Sequence, residues 1–252
     1  MEEKKQIIKY PKPLENGDAV GITAPSMAFR ENLYKRLDNA ILNLENAGFK
    51  VIETSNVRNK TVKWVSSSAS MRANELMDLW KNEEVKWIIA ASGGEFLIEM
   101  IPYIDKDIIK GAKPKWVQGF SDVSLLNFYL TTNFNIATVH FESISDFGMK
   151  DLDISVINNI DILRNTKNEQ SSFEAFEVKD LKKDENMELT GYNLTEKVEY
   201  KHLYGKKEEM VEGRLIRRLH RCTNSVNWYR VRQHKRILWA VREWHAMVFR
   251  KL

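Results

Sequence analysis

An α/β fold on a parallel sheet, Rossmann-like or flavodoxin-like, is the class this sequence predicts, and three observations predict it. Short, largely apolar runs at residues 19–24, 85–91 and 115–120 alternate with segments whose apolar residues recur at helical spacing. Those runs do not alternate apolar with polar, which is the pattern of strands covered on both faces. The residues that close them, Ser26, Gly93-Gly94 and Ser121, fall at the carboxyl ends of the strands, where such sheets bind ligands.

In order along the chain, Ala19-Val20-Gly21-Ile22-Thr23-Ala24 reads as a buried strand between Asn16-Gly17-Asp18 and Pro25-Ser26. Leu33, Leu37, Ala40, Ile41, Leu44 and Ala47 then mark a helix that Gly48 closes. A strand restarts at Lys50-Val51-Ile52. A helix over residues 71–82 carries Leu76, Met77 and Leu79-Trp80 on its apolar side. Residues 85–91 are the candidate central strand, ended by Gly93-Gly94, with a helix over 96–103. The strand at 115–120 runs into Ser121-Asp122 and a helix built on Val123, Leu125, Leu126, Tyr129 and Leu130. A further strand is expected at 137–141, with His140 on the same edge, and a helix at 151–164. A polar, acidic stretch follows, in which Phe173, Phe176 and Val178 could form a strand. Residues 1–150 are thus read as an α/β domain, 151–210 as a connecting region, and 211–252 as the start of a second, incomplete, barrel-like domain.

Composition narrows the classes. Hydrophobic residues at 43% and charged residues at 29% describe a folded chain. No apolar run approaches the roughly 20 residues of a membrane span, and the charged start has no apolar signal core. With the single cysteine Cys222, no internal disulfide can form, and a cytoplasmic location is expected. The histidines and the cysteine show no metal-ligand spacing, so neither metal nor cofactor is expected. No dinucleotide or P-loop fingerprint is completed at Gly93-Gly94.

Gly119-Phe120-Ser121-Asp122 can be read in two ways. A sharp strand-to-helix turn lifts a serine hydroxyl above the sheet and offers backbone N–H groups to a developing oxyanion, as in a nucleophile elbow. The match is partial, because Val123 stands where the hydrolase pattern has glycine. Equally, Ser121 can be a helix cap with Asp122 favourable in the first turn. Gly93-Gly94 is similarly a close-approach turn presenting N–H donors, or only a tight turn. A lone histidine such as His140 is more often structural.

Taken together these segments resemble the LD-carboxypeptidase family of serine peptidases, in particular its microcin-immunity branch. The matching residues are Gly17-Asp18-Ala19-Val20-Gly21-Ile22-Thr23-Ala24-Pro25-Ser26, Arg72-Ala73 with Glu75-Leu76, Gly93-Gly94 before Ile101-Pro102-Tyr103-Ile104-Asp105, Pro114-Lys115, the stretch from Gly119 to Leu126, and Thr138-Val139-His140. Glu212-Gly213-Arg214-Leu215-Ile216 resembles the family's entry to its second domain. The resemblance implies Ser121 as nucleophile, with the N–H of Asp122 and one from Gly93 or Gly94 as the oxyanion hole. It implies a small peptide or peptidyl-nucleotide substrate, cleaved at an amide beside a free carboxylate or joined to a nucleotide. His140-Phe141-Glu142 departs from the family's His-Gly-Pro. The family's catalytic glutamate and histidine come from the second domain.

That domain is where the composition changes. Residues 217–252 hold ten Lys or Arg against the single acid Glu243, whereas residues 1–216 hold 29 against 34. The same 36 residues carry eight of the fourteen arginines, three of the seven tryptophans and the only cysteine. These observations lead to the expectation that 217–252 is out-of-frame sequence. If Arg217-Arg218-Leu219-His220-Arg221-Cys222 is written with the codons AGG AGG TTG CAT AGA TGT, reading one base later gives Gly-Gly-Cys-Ile-Asp, the family's Gly-Gly included. Because Trp and Met have single codons, Trp228-Tyr229 and Trp244-His245 must each yield Gly, and Met247-Val248 must yield Trp. On this reading the glutamate survives only in the other frame, the histidine would lie beyond Leu252, and the chain as written has little or no activity. None of His202, His220, His234 or His245 takes the missing role by position. An incomplete second domain would expose apolar surface and favour association, a homodimer included. The competing account is a non-catalytic binding protein whose Arg/Trp-rich tail holds nucleic acid or an anionic membrane. On the frameshift reading neither partner is expected.

Overall fold

The computed structural model describes residues 7–59, 64–181 and 189–199. The expected second domain at 211–252 and the frame change at Arg217 lie outside the described residues.

Four strands form a parallel sheet in the order β2-β1-β3-β4: β1 is Ala19–Thr23, β2 Lys50–Glu53, β3 Val85–Ala90 and β4 Trp116–Gln118. Chain order reverses between β1 and β3, and the crevice at such a switch point opens at the carboxyl ends of those strands. The helices run α1 Tyr34–Asn46, α2 Ala69–Lys81, α3 Leu97–Met100, α4 Lys106–Gly111, α5 Ser124–Phe134 and α6 Ile154–Leu163. Local chemistry sets their ends. The Ser68 hydroxyl accepts the Met71 N–H, Asp105 accepts from Asp107 and Ile108, and Asp153 accepts from Ser155. Gly48, just past α1, takes φ +89°, the left-handed turn expected of it.

Alternation along the strands sends side chains to two cores. Ile88, Ala90 and Val117 pack with Leu76 and Trp80 of α2 and with Leu125 and Tyr129 of α5. Val20, Ile22, Trp87 and Ile89 pack on the other face, with Leu37, Ala40 and Leu44 of α1 and Val156, Ile160 and Leu163 of α6. Trp87 is fully buried, with Phe49 and Phe147 edge-on at 5.9 and 5.5 Å. Both faces are covered, which is why β1 and β3 read as continuous apolar runs.

One sequence expectation is corrected, one helix is added and one expectation is extended. Residues 137–141 do not form a strand: Val139 makes one parallel bridge to Gln118, and the chain bends away after His140. A single ladder position cannot hold His140 and Phe141 extended beside the short β4. The helix α4 was not anticipated, because its six residues, KDIIKG, are too few to show a period. Phe176 does lie in a strand, β5 Ala175–Glu177, whose antiparallel partner β6 Leu194–Lys197 is polar and exposed and gave no apolar signal. This region is tied to the sheet domain by the buried Arg36, which donates to the Ser145 carbonyl at 2.6 Å and the Thr190 carbonyl at 2.9 Å.

Lys115, buried at the amino end of β4, donates to the Asn82 and Val85 carbonyls at 2.5 and 2.6 Å. Desolvation chiefly, and then Lys86, lower its pKa from 10.5 to about 8, against an opposing pull from Glu83. The unfolded chain keeps this proton to a higher pH than the folded one, so stability rises with pH from about 8 towards 10.5. Tyr192, its phenol pushed upward by burial and then by Asp146, opposes this only above its ordinary value of 10.0. The urea midpoint of the protein is therefore expected to climb between pH 7.5 and 9.5, and a parallel series on Lys115→Met should lose that climb.

Candidate active site at the ends of β1, β3 and β4

Ser121 ends the turn that leaves β4. Its backbone takes φ +56°, a left-handed conformation that costs a non-glycine residue roughly 1–2 kcal/mol. Its hydroxyl is not a helix cap: Phe120 occupies the N-cap position, and the Ser121 side chain makes no hydrogen bond among the described residues. A short 3-10 turn, Ser121–Val123, leads into α5. Gly119 is required here by space. A methyl group on it would stand 2.6 Å from a Val123 methyl and 3.2 Å from Ala90 Cβ. The valine that breaks the hydrolase pattern thus packs over Gly119, and Asn127 of α5 holds the turn by donating to the Gly119 and Val139 carbonyls at 2.9 and 3.0 Å.

Gly93 approaches this serine closely, its Cβ position lying 3.3 Å from Ser121 Cβ, 3.5 Å from Ser121 Oγ and 3.9 Å from the Asp122 nitrogen. Gly94, at φ +147°, lies against Ser26 and Met27, with its Cβ position 2.3 Å from Ser26 Oγ. Neither the Gly93 nor the Gly94 N–H donates a hydrogen bond among the described residues, while the Gly93 carbonyl accepts from Met27 N–H at 3.1 Å. Gly93, Gly94, Ser121 and Asp122, taken from two separate segments, are therefore gathered at one point.

The side chain of Asp122 has a part that sequence reasoning missed. It is buried, and its Oδ2 accepts from Ser26 Oγ at 2.6 Å and from the Leu97 N–H at 3.0 Å. Ser26 Oγ in turn accepts the Phe96 N–H at 3.0 Å. Behind them the fully buried Arg72 of α2 donates to the Pro25 carbonyl at 3.0 Å, the Phe96 carbonyl at 2.7 Å and Glu99 at 2.8 Å. Glu75, on the same helix, accepts from the Ser55 hydroxyl and the Asn56 N–H, and Asn56 pairs with both backbone groups of Ala24. The signal that could have found Ser26 was its place after β1; nothing in the sequence showed that it bonds Asp122. His140 follows Val139, which pairs beside Gln118 and Gly119, so it stands on the same edge.

Comparison with known proteins gives this arrangement a family. Residues 20–141 match the LD-carboxypeptidase N-terminal domain. This segment of the chain is an LD-carboxypeptidase N-terminal domain. A probable murein peptide carboxypeptidase of Bacillus subtilis (strain 168) is 30% identical over 143 residues, covering 56% of this chain and 43% of the relative. The microcin C7 self-immunity protein MccF of Escherichia coli is 29% identical over 114 residues, 45% of this chain and 33% of that protein. The chain thus spans less than half the length of these curated relatives. Among solved structures, an MccF-like protein from Bacillus anthracis str. Ames superposes with TM-score 0.63 at 25% identity, covering 70% of this chain and 54% of that one. Wild-type apo MccF superposes with TM-score 0.67 at 23% identity, a likeness of fold.

Two substitutions probe how the LD-carboxypeptidase domain holds this turn. Ser26→Ala leaves the Phe96 N–H without its acceptor and the buried Asp122 carboxylate with one donor fewer, and should lower stability by about 1–3 kcal/mol in urea unfolding. Ser121→Gly relieves a left-handed residue at the expense of a more flexible unfolded chain, and should raise stability by about 0.5–1 kcal/mol. Ser121→Ala keeps the conformation and should change it by less than about 0.5 kcal/mol.

Proposed function

We propose that the chain is the nucleophile-bearing part of a serine carboxypeptidase or amidase of the LD-carboxypeptidase type. In this reading residues 1–150 are the nucleophile domain, 151–210 the connection, and 211–252 the start of a second domain read out of frame from Arg217. Ser121 Oγ attacks the amide carbonyl, and the oxyanion that develops is held by the Asp122 N–H and an N–H of the Gly93-Gly94 turn. The observation that carries this is the uncommitted Ser121 hydroxyl, held at φ +56° within 3.5 Å of the Gly93 Cβ position. A strained, partly exposed serine whose hydroxyl bonds no described residue has no structural task among them to explain its conformation.

The substrate is a small molecule with an amide beside a free carboxylate, as in a murein tetrapeptide, or an amide joined to a nucleotide, as in a microcin-like compound. The relatives named for murein peptides and for microcin immunity support the two classes equally. Hydrolysis takes place in the cytoplasm, and no helix among the described residues is long and apolar enough to cross a membrane.

The 252-residue polypeptide itself has little or no peptidase activity. A serine without a general base is a weak nucleophile, and no residue of this chain is assigned the part of the family's glutamate or histidine. Sequencing the coding DNA across codons 214–218 tests the frame directly, and a protein made with the frame restored there tests the chemistry. That protein should cleave a murein tetrapeptide or an aminoacyl nucleotide, with the rate falling by 10³-fold or more in Ser121→Ala. The chain as written should show no Ser121-dependent hydrolysis. Ser121-dependent turnover by the 252-residue chain would overturn the inactivity, and none by the reframed protein would overturn the enzyme.

A further inference from the structure

Beside the Gly93-Gly94 turn the fold leaves an open cleft of about 800 Å³, lined by Met27, Arg30, Glu31, Asn32 and Trp64. It adjoins the proposed oxyanion donors directly, since Met27 lies against Gly94 and its N–H bonds the Gly93 carbonyl. Its wall is built rather than loose. Met27 and Val65 form an antiparallel bridge, flanked by bonds from Ala28 N–H to the Trp64 carbonyl and from Ser66 N–H to the Ser26 carbonyl, each 3.1 Å. This pairing fixes Trp64 at φ +66° with 60% of its surface exposed.

Arg30 is unlike the other described arginines. Arg36, Arg58, Arg72 and Arg164 all spend their guanidinium groups on carbonyls or carboxylates, whereas that of Arg30 bonds no described residue. The Asn32 amide and the Trp64 indole N–H make no hydrogen bond among the described residues either. A guanidinium, which pairs carboxylates through two N–H groups, and an exposed indole face, which packs on flat apolar or peptide surface, thus line one cleft next to Ser121. A carboxypeptidase needs a cation for the free carboxylate beside its scissile amide. Arg72 is already committed, and Lys115 sits at the opposite end of β4.

We propose that this cleft is the binding site for the carboxylate-bearing end of the peptide, with Arg30 pairing the carboxylate and Trp64 covering the adjoining backbone or side chain. This rests on the Ser121 reading and adds the group that recognises the substrate.

Calorimetric titration of the 252-residue chain tests the assignment without any catalysis. The probes are a murein tetrapeptide, the same peptide with its terminal carboxylate amidated, and adenosine monophosphate. The acid should bind about tenfold more tightly than the amide, and Arg30→Gln should abolish that preference while leaving the thermal midpoint unchanged. Arg30→Lys should restore part of it, Trp64→Ala should weaken both peptides, and Ser121→Ala should bind as the parent chain does. Equal binding of acid and amide, an unaltered preference in Arg30→Gln, no measurable peptide binding, or tighter binding of adenosine monophosphate than of peptide would each overturn the proposal. Because Ser121→Ala still reports binding, failure here leaves the hydrolytic reading standing, and failure of the reframed protein to hydrolyse leaves this one standing.

Discussion

One buried carboxylate holds the candidate site together. Asp122 sits just past β4, accepts the hydroxyl of Ser26 from past β1, and accepts the Leu97 N–H from past β3. Three neighbouring strand ends are thereby tied to a single oxygen. A buried carboxylate that accepts from both of these donors is strongly oriented, because a polar group left unmatched in a dry site is costly. The relative placement of Ser121, Gly93 and Gly94 follows from this tie, since each lies one to four residues from one of its members.

The tie also explains how a serine is kept in a left-handed conformation. Strain of this kind persists only where the surroundings overdetermine it. Here Asp122 is fixed on one side of Ser121, while on the other Gly119 is fixed by Val123 above and by the Asn127 amide on its carbonyl. Between two pinned neighbours the serine has little other path. Arg72 gives the same service to the β1 and β3 turns, gripping the Pro25 and Phe96 carbonyls from a helix whose apolar face anchors it in the core. The motif residues Arg72 and Glu75 are therefore braces for the loops that follow β1, β2 and β3.

What the sequence showed and what it hid follow from the range of the interactions. β1 and β3 were legible because both of their faces are covered, so each carries an unbroken apolar run. Ser121 was legible as a position but not as a role, because a cap and an elbow have the same local sequence and differ in φ. The Ser26–Asp122 bond was hidden for another reason. It joins residues 96 apart through side chains that nothing in a local pattern distinguishes from ordinary loop polars. The short α4, the polar β6 and the single bridge at Val139 escaped or misled for want of length, since a period needs repeats to be seen. Trp64 and Arg30 gave no signal either, because an exposed aromatic and a cation that bonds no described residue have meaning only once the cleft between them exists.

These contacts also separate recognition from turnover. The residues named in the elbow, the glycine turn and the cleft all belong to residues 20–141, and the bonds described among them run to one another. None requires a general base to be present. A chain that has lost the residues able to activate Ser121 would still fold with the pinned carboxylate, the left-handed serine and Arg30 in place, since the bonds described around them stay within residues 20–141. Loss of catalysis by a change of frame downstream would therefore leave a domain that still presents an oxyanion turn and a cation to the same ligand.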